Sequence, residues 1–392
     1  MSGKIQNNGS GFIADGKQRG NGRKRYDPPR WAGKKRDARS YLQMIQKILV
    51  RAPNWVGDGV MAIPALNALR AHFKDAEIVL LAKPVIASLF LHHTDINRII
   101  VYESPGKHAG PIGFLILCAH LRKERFDLAV LLKNAFESAL LATLAGIPER
   151  VGYNTDSRGF LLTRPLPIES APLHQREAYL HSISQLGASV PARSPAGVVM
   201  SYLVLTEAER LVARSTLASA GISTGDFVVG ISPGTAKGPA KAWLPDRFAA
   251  LSDNLVETFG AKILLLGGPN DLSAGEAVLQ AMKSESVNFI GKLSLREMMA
   301  VISLCSLCIT NDSGPLHIAS ALGIPQVAIY GPRPPQFSFP GGPLDAMVYH
   351  PVNCSPCDFC VCPVNHHCMT AVTVAEVLDK AKEVLGRVVR HG

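Results

Sequence analysis

A rhythm that runs, breaks off and restarts constrains this chain more than any other feature. From residue 47 onward, short apolar runs alternate with longer stretches of helical spacing: KILVRA at 47–52, EIVLLA at 77–82, RIIV at 98–101 and DLAVLL at 127–132. Between the first two runs, Ala62, Leu66, Leu69 and Phe73 fall on one face of a helix over 60–73, and 135–145 reads as another helix. Strands that are apolar throughout and separated by helices predict βαβ units, with a parallel sheet covered on both faces. Residues 155–225 are less regular. Pro-rich pieces at 164–167 and 191–195 flank a helix over 174–186, and a further helix follows at 206–220. The rhythm then resumes. Strands at 227–231, 261–266, 307–310 and 325–330 end in Ser232-Pro233-Gly234, Gly267-Gly268, Asn311-Asp312-Ser313-Gly314 and Gly331-Pro332. A shorter strand lies at 287–290, a helix at 315–322 and an amphipathic helix at 374–389. The expected fold class is α/β: two doubly wound halves, near 45–205 and 225–372, and a terminal helix. Ligands of such sheets sit outside the carboxyl ends of the strands, and with two halves the cleft between them is the expected site.

Composition supports two such cores: the 392 residues are 47% hydrophobic and 18% charged, which excludes a disordered chain or a fibre. No run approaches the ~18–20 apolar residues that cross a bilayer. The best candidate, 113–119, is far too short. The first residues are polar and Gly-rich and lack the apolar core of a signal peptide, so a soluble, intracellular protein is expected. The net charge of +10 is uneven. Residues 1–43 carry eleven Lys/Arg against Asp15, Asp27 and Asp37, a charge of +8, whereas the remaining 349 residues are near neutral at +2. That tail reads as a basic disordered arm, either a solvated extension or a segment drawn to anionic lipid. Nucleic acid is disfavoured as a partner, because the body has no basic stripe with interleaved aromatics. The expected division is a tail over 1–43, an N-terminal domain over 44–215 and a C-terminal domain over 216–392.

The strand-end loops exclude the commonest nucleotide sites. There is no GxxxxGK[ST] for a P-loop. The first strand leads to Ala52-Pro53-Asn54-Trp55-Val56-Gly57-Asp58 rather than GxGxxG, and the second ends in Ala82-Lys83 without an acid for a ribose diol. The second half does carry anion-cradling features. Asp312-Ser313-Gly314 lies between a strand and a helix start, where free N–H groups suit a diphosphate. Ser232-Pro233-Gly234-Thr235 ends another strand, and Lys237 and Lys241 follow. Each loop alone is an ordinary strand-to-helix turn; several at one sheet edge point to a nucleotide diphosphate. No two Asp residues stand two apart, so no DxD is present to hold a divalent cation. Leaving-group charge is then met by Lys and helix N-termini.

These motifs have a familiar order. Val50 to Asp58 followed by Met61-Ala62-Ile63-Pro64-Ala65-Leu66 resembles the opening of the ADP-heptose:lipopolysaccharide heptosyltransferases, glycosyltransferase family nine. Within it, Trp55-Val56-Gly57-Asp58 is nearest to the subgroup that adds the second heptose. Pro233 to Trp243 is similar to that family's phosphate loop, and Thr310 to His317 to its donor-binding motif, with Tyr330-Gly331-Pro332 after it. The resemblance implies a GT-B fold, two Rossmann-like domains facing across a cleft. It implies an N-terminal acceptor domain, a C-terminal domain for ADP-heptose, and a metal-independent, inverting transfer without a cofactor. The acceptor it implies is heptosyl-Kdo-lipid A, reached from the cytoplasm at the inner face of the inner membrane, with the enzyme peripheral there.

Individual roles follow from that resemblance and from the residue types. Asp58 is the candidate base for the acceptor hydroxyl, the alternative being a helix N-cap. Lys241, with Lys237, is the candidate for the departing diphosphate. Ser232 and Thr235 are expected to donate to phosphate, Gly234 to allow its close approach, and Ser313 and Gly314 to offer N–H groups. Asp312 holds that loop or meets the donor sugar. His317 touches phosphate or acceptor, or is a core histidine. Asp271 accepts from the adenosine ribose or caps a helix. Arg51 and Asn54 are candidates for the acceptor's acidic groups, and Trp55 for packing. Cys354, Cys357, Cys360, Cys362 and Cys368, with His366 and His367, form a dense segment over 354–368. On spacing it suggests zinc or an iron–sulfur cluster, with Cys354, Cys357, Cys362 and Cys368 as candidate ligands. A similar stretch in many members of the family reads instead as a structural insertion without metal. Cys118, Cys305 and Cys308 sit in apolar stretches and read as core. Two alternatives stay open: a metal-binding or redox protein on a degenerate transferase scaffold, and a transferase of the same family using another nucleotide-sugar.

Overall fold

The computed structural model describes residues 44–168, 173–190 and 202–391. The basic tail over 1–43 and the Pro-rich piece over 191–195 lie outside the described residues. Two parallel six-stranded sheets form the body. The first has the order β3-β2-β1-β4-β5-β6 and the second β12-β11-β10-β7-β8-β9. In the first, β1 (Lys47–Arg51) lies between β2 (Glu77–Ala82) and β4 (Leu128–Leu131), with β3 (Arg98–Val101), β5 (Glu149–Tyr153) and β6 (Arg164–Leu166) outside them. In the second, β7 (Val228–Ser232) lies between β8 (Lys262–Leu265) and β10 (Leu307–Asn311). Strands β9 (Ser286–Asn288), β11 (Gln326–Tyr330) and β12 (Asp345–Tyr349) complete it. Ile48, Leu49 and Val50 are all fully buried, which is why the runs are apolar on both faces. Both sheets reverse their winding beside their first strand, so the loops leaving β1, β7 and β10 open at the two switch points.

In the first half the helices are α1 (Val56–His72), α2 (Pro84–Leu89), α3 (Gly110–Glu124), α4 (Phe136–Leu144) and α5 (Gln175–Ser184). The second half carries α6 (Glu207–Ser219), α7 (Pro245–Phe259), α8 (Leu272–Ala281), α9 (Leu295–Ile302), α10 (Gly314–Ala321), α11 (His367–Thr370) and α12 (Val374–His391). None of the described helices is long and apolar enough to cross a membrane. Helix α1 begins four residues earlier than its periodicity predicts and runs through Pro64, because its Gly57 and Gly59 start reads as loop. The Pro-rich piece at 164–167 contains an edge strand, β6, where a residue without an N–H is tolerated. Helix α3 was legible only as an apolar run, since hydrophobic residues occupy its exposed face as well as its buried one.

The expected boundary at 215/216 is corrected: it would cut α6, which packs on α9. Arg296 grips Glu209 with Nε and Nη2 at 2.7 and 2.6 Å, while Thr206 and Glu209 close a reciprocal cap at the start of α6. Residues from Thr206 onward therefore belong to the second half. The halves themselves touch through α1, which packs on α5 of its own half and α10 of the other. Helix α5 also crosses over, with Arg176 donating to the Pro340 carbonyl at 3.3 Å.

The hydrogen bonds from Arg296 hold the Glu209 carboxyl down at about 2, against its ordinary 4.5. A depressed carboxylate stabilises the fold above its ordinary pKa and loses that contribution as pH falls through the depressed value. Glu209→Gln is expected to lower stability by about 1–3 kcal/mol at pH 7, with the deficit shrinking between pH 4.5 and 2. Denaturant midpoints of both proteins across that range check it; equal midpoints at pH 7 would sink the assignment of α6.

Candidate active site

Two helix starts meet where the halves touch. At the first, the chain leaves β1 through Ala52 and Pro53, and Trp55 takes the extended N-cap position of α1 without a side-chain cap. The N-cap alternative for Asp58 is thereby corrected: Asp58 lies inside the first turn, three residues beyond the cap. At the second, Ser313 is the extended N-cap of α10, and its buried hydroxyl has no partner among the described residues. Both first turns thus keep N–H groups that no side chain satisfies, and both place positive helix ends at one spot. Glycine makes this approach possible. A Cβ on Gly57 would stand 2.6 Å from His317 Cδ2, and one on Gly314 would stand 3.2 Å from Val56 Cβ.

Around that junction the charges are unequal. Lys241 and Asp312 form a nearly buried ion pair, and Ser338 Oγ donates to the other Asp312 oxygen at 3.0 Å. Burial pushes the Asp312 carboxyl up, but Lys241, His317 and Ser338 together hold the group below the ordinary range. Asp58 has no such partner among the described residues. Burial pushes it to about 6, Asp312 adds to the rise, and Lys237, Arg333 and Lys241 oppose it. One carboxylate therefore stays ionised while the other titrates near neutrality, the separation that acid–base chemistry needs. His317 is buried and pushed down to about 4 by that burial, although Asp312 pulls it back. Its ring packs against Gly57 inside the protein, as the core reading expects.

Several expected contacts are corrected by the hydrogen bonds. Ser232 Oγ donates its single proton to the Leu266 carbonyl at 2.8 Å, joining the ends of β7 and β8. Thr235 Oγ1 donates to the Gly238 carbonyl at 2.6 Å and shapes its own loop. Neither keeps a proton for phosphate. Gly234 lies against Asp271, where a Cβ would fall 2.0 Å from Asp271 Oδ1. Asp271 Oδ2 accepts from the Gly268 N–H at 2.8 Å, the capping alternative. Arg51 is fully buried, donating to the Ala52 and Leu81 carbonyls at 2.8 and 3.3 Å and to Asn54 Oδ1 at 3.1 Å. It braces the loop that carries Asp58 and reaches no acceptor. Asn54 is half-buried and stays at the loop surface.

Sequence reasoning missed three contributors. Asn311 accepts from the Trp243 N–H at 3.0 Å and donates to the Pro233 carbonyl at 2.8 Å, locking β10 to the phosphate loop. Arg333 follows Gly331-Pro332 at the same sheet edge; that strand-end position was the available signal. Asp358 lies 3.8 Å from both Lys237 Nζ and Arg333 Nε. The Cys-rich segment is a strap that joins these two loops. The Cys360 carbonyl accepts from the Ala240 N–H at 3.0 Å, and the Cys357 N–H donates to the Pro332 carbonyl at 3.0 Å. Gly238, at φ +114°, admits the strap because a Cβ there would lie 2.6 Å from the Cys360 carbonyl oxygen. All eight cysteines are unpaired. Burial raises the Cys368 thiol, and the nearby Cys354, Cys362 and Cys357 raise it further. Among the described residues, no group of three or more His, Cys, Asp or Glu is arranged to hold a metal ion.

Twin parallel sheets that meet through α1 and α10 have the architecture of glycosyltransferases of the GT-B class. The profile of Glycosyltransferase family 9 (heptosyltransferase) matches residues 115–367. The chain is 33% identical over 302 residues to lipopolysaccharide heptosyltransferase 2 of Escherichia coli K12, covering 75% of this chain and 85% of that one. It superposes on the structure of E. coli ADP-heptose lps heptosyltransferase II with a TM-score of 0.74 and 28% identity, covering 87% and 98% of the two chains. A glycosyl transferase family 9 structure from Veillonella parvula shares the fold, with a TM-score of 0.77 at 24% identity over 87% and 97%. This chain belongs to glycosyltransferase family 9.

The junction is directly testable. Gly57→Ala is expected to destabilise the protein by about 1–3 kcal/mol through overpacking against His317. His317→Ala in the same chain should recover part of that loss. A double-mutant cycle with no coupling would remove the contact from the account.

Proposed function

We propose that this enzyme moves heptose from ADP-heptose to heptosyl-Kdo-lipid A in the inner core of lipopolysaccharide, with inversion and without a metal ion. The Asp58 carboxylate, raised to about 6 at the junction of two helix starts, is the observation that carries this reading. The names of the relatives supply the sugar: those from E. coli and Haemophilus influenzae are heptosyltransferases 2, at 33% and 30% identity.

In the reaction the acceptor hydroxyl oxygen bonds to the anomeric carbon as the bond from that carbon to the diphosphate oxygen breaks. Asp58 takes the hydroxyl proton, and ADP leaves with the bond's electron pair. A single displacement of this kind inverts the anomeric centre. Charge grows on the diphosphate as it departs, so groups that favour the product anion lower the barrier. Lys237 and Arg333 are half-exposed and share one exposed carboxylate, Asp358. Lys241, already paired with Asp312, fixes the start of α10, whose Ser313 and Gly314 N–H groups face the diphosphate. We assign the donor to the second half and the acceptor to the first, which carries Asp58, with the acceptor's lipid in a membrane beside it.

Asp58→Ala should lower kcat by ~10²–10⁴ in an ADP-release assay containing EDTA and the heptosylated acceptor. In the parent, kcat/KM should fall as pH drops through about 6, because the base must be ionised. Unchanged turnover in the variant would remove Asp58, and abolition by EDTA would remove the metal-free mechanism. The same carboxylate has a stability signature of opposite sense. Its raised pKa means that ionisation opposes folding above the ordinary value of 3.8. Asp58→Asn is expected to be more stable than the parent by about 1–3 kcal/mol at pH 8, with the gain vanishing near pH 3. A less stable variant at pH 8, measured by chemical denaturation, would contradict the burial.

A further inference from the structure

The loop that joins β11 to β12, residues 331–344, is gripped by both halves. Its sequence makes it stiff: Pro332, Pro334, Pro335, Pro340 and Pro343 each fix a backbone angle. Beyond its far end, the buried Asp345 takes the Gly342 N–H and the Ser320 hydroxyl on Oδ2, at 2.6 and 2.8 Å. The Gln326 amide donates to Asp345 Oδ1 at 2.8 Å. In the middle of the loop the Phe339 N–H donates to the Pro335 carbonyl at 2.7 Å, and the Phe339 ring meets Tyr330 edge-on.

The start of α5, in the first half, reaches this loop at two successive carbonyls. His174, the N-cap of α5, accepts the Arg176 N–H on Nδ1 at 3.1 Å. A nitrogen that accepts carries no hydrogen, so the ring hydrogen is on Nε2, which donates to the Phe339 carbonyl at 3.1 Å. Arg176 Nη1 donates to the next carbonyl, that of Pro340, at 3.3 Å. Just before them stands Ser338. Its one proton goes to Asp312 Oδ1 at 3.0 Å, so the Tyr330 hydroxyl, 3.3 Å away, donates to Ser338 Oγ. The other Asp312 oxygen holds Lys241. Contacts therefore run unbroken from α5 of the first half, through a proline-stiffened loop, to the ion pair before α10 of the second.

We propose that Ser338 is a positioning residue for the diphosphate site: it holds the Asp312–Lys241 pair in place before α10, and His174 and Arg176 of the first half set where Ser338 stands. A carboxylate bound on one oxygen alone can turn about its Cβ–Cγ bond and carry its ammonium partner with it. Ser338 removes that freedom by holding the second oxygen. The pair in turn fixes the first turn of α10. Because side chains of the first half place the serine, the α10 N–H groups are aligned only while the halves keep this contact. The role presupposes a diphosphate at the start of α10, as proposed above, and adds to it what aligns that site and what links it to the acceptor half.

ADP alone is the probe, because its binding needs neither the sugar nor the acceptor. In calorimetry with the full chain, Ser338→Ala should weaken ADP about 10–100-fold, the worth of a hydrogen bond to a charged group. Ser338→Thr keeps the hydroxyl and should bind within about threefold of the parent. His174→Asn keeps a capping side chain for α5 but is too short to reach the Phe339 carbonyl, and should weaken ADP about 2–10-fold. Carbon NMR of the Asp312 carboxyl, assigned by its loss in Asp312→Asn, should show the resonance moved in Ser338→Ala and in His174→Asn, and restored in Ser338→Thr. Parent-like ADP affinity in Ser338→Ala would overturn the proposal, as would a threonine variant as weak as the alanine one. An Asp312 resonance untouched by His174→Asn would overturn the link between the halves. A parent that does not bind ADP would overturn both this role and the donor assignment, whereas ADP binding without heptose transfer would contradict only the reaction proposed above.

Discussion

The contact of two helix ends at Gly57 and Gly314 is the constraint on which the rest of this molecule depends. Any side chain at Gly57 would strike His317, and any at Gly314 would press on Val56. Because both positions lack one, the first turns of α1 and α10 approach across the boundary between halves. That approach carries Asp58 to the charges of the second half and leaves it too dry to ionise easily. A wider junction would let water in and return the carboxyl to its ordinary value.

Two aspartates at this junction divide the work through their surroundings. Asp312 has Lys241 and Ser338, so its charge is fixed and serves to hold the loop before α10. Asp58 feels the charges of Lys237, Arg333 and Lys241 but has no hydrogen-bond partner among the described residues, so its charge is conditional. The cations not committed to such a buried pair, Lys237 and Arg333, sit on two loops that the Cys-rich strap binds together. The main chain of the strap, through the Cys360 carbonyl and the Cys357 N–H, ties these two loops together.

Much of this architecture was legible because apolar runs and helical spacing report burial directly. The strand ends at Ser232, Asn311 and Tyr330 fell where the runs stopped, and Asp58, Lys241 and Asp312, read from separate strand-end loops, are brought near one another by the fold. What the residue types concealed was partnership. Ser232, Thr235 and Arg51 are residues that bind anions when their donors are available, but here the Ser232 and Thr235 hydroxyls and Arg51 Nη1 donate to carbonyls brought near by folding. Asp271 and His317 look chemical in sequence and are held by packing and by a neighbouring N–H. Helix α3 escaped notice for the opposite reason: periodicity reveals a helix only when one face is polar, and this helix exposes its hydrophobic side chains.

The central claim is that the meeting of the halves, rather than any hydrogen bond, sets the protonation of Asp58. Carbon NMR of the full chain labelled at aspartate carboxyls, with the resonance assigned by its loss in Asp58→Asn, measures that protonation directly. The account predicts a midpoint near 6 for this carboxyl and one below the ordinary 3.8 for Asp312. A midpoint for Asp58 at or below its ordinary value would contradict it.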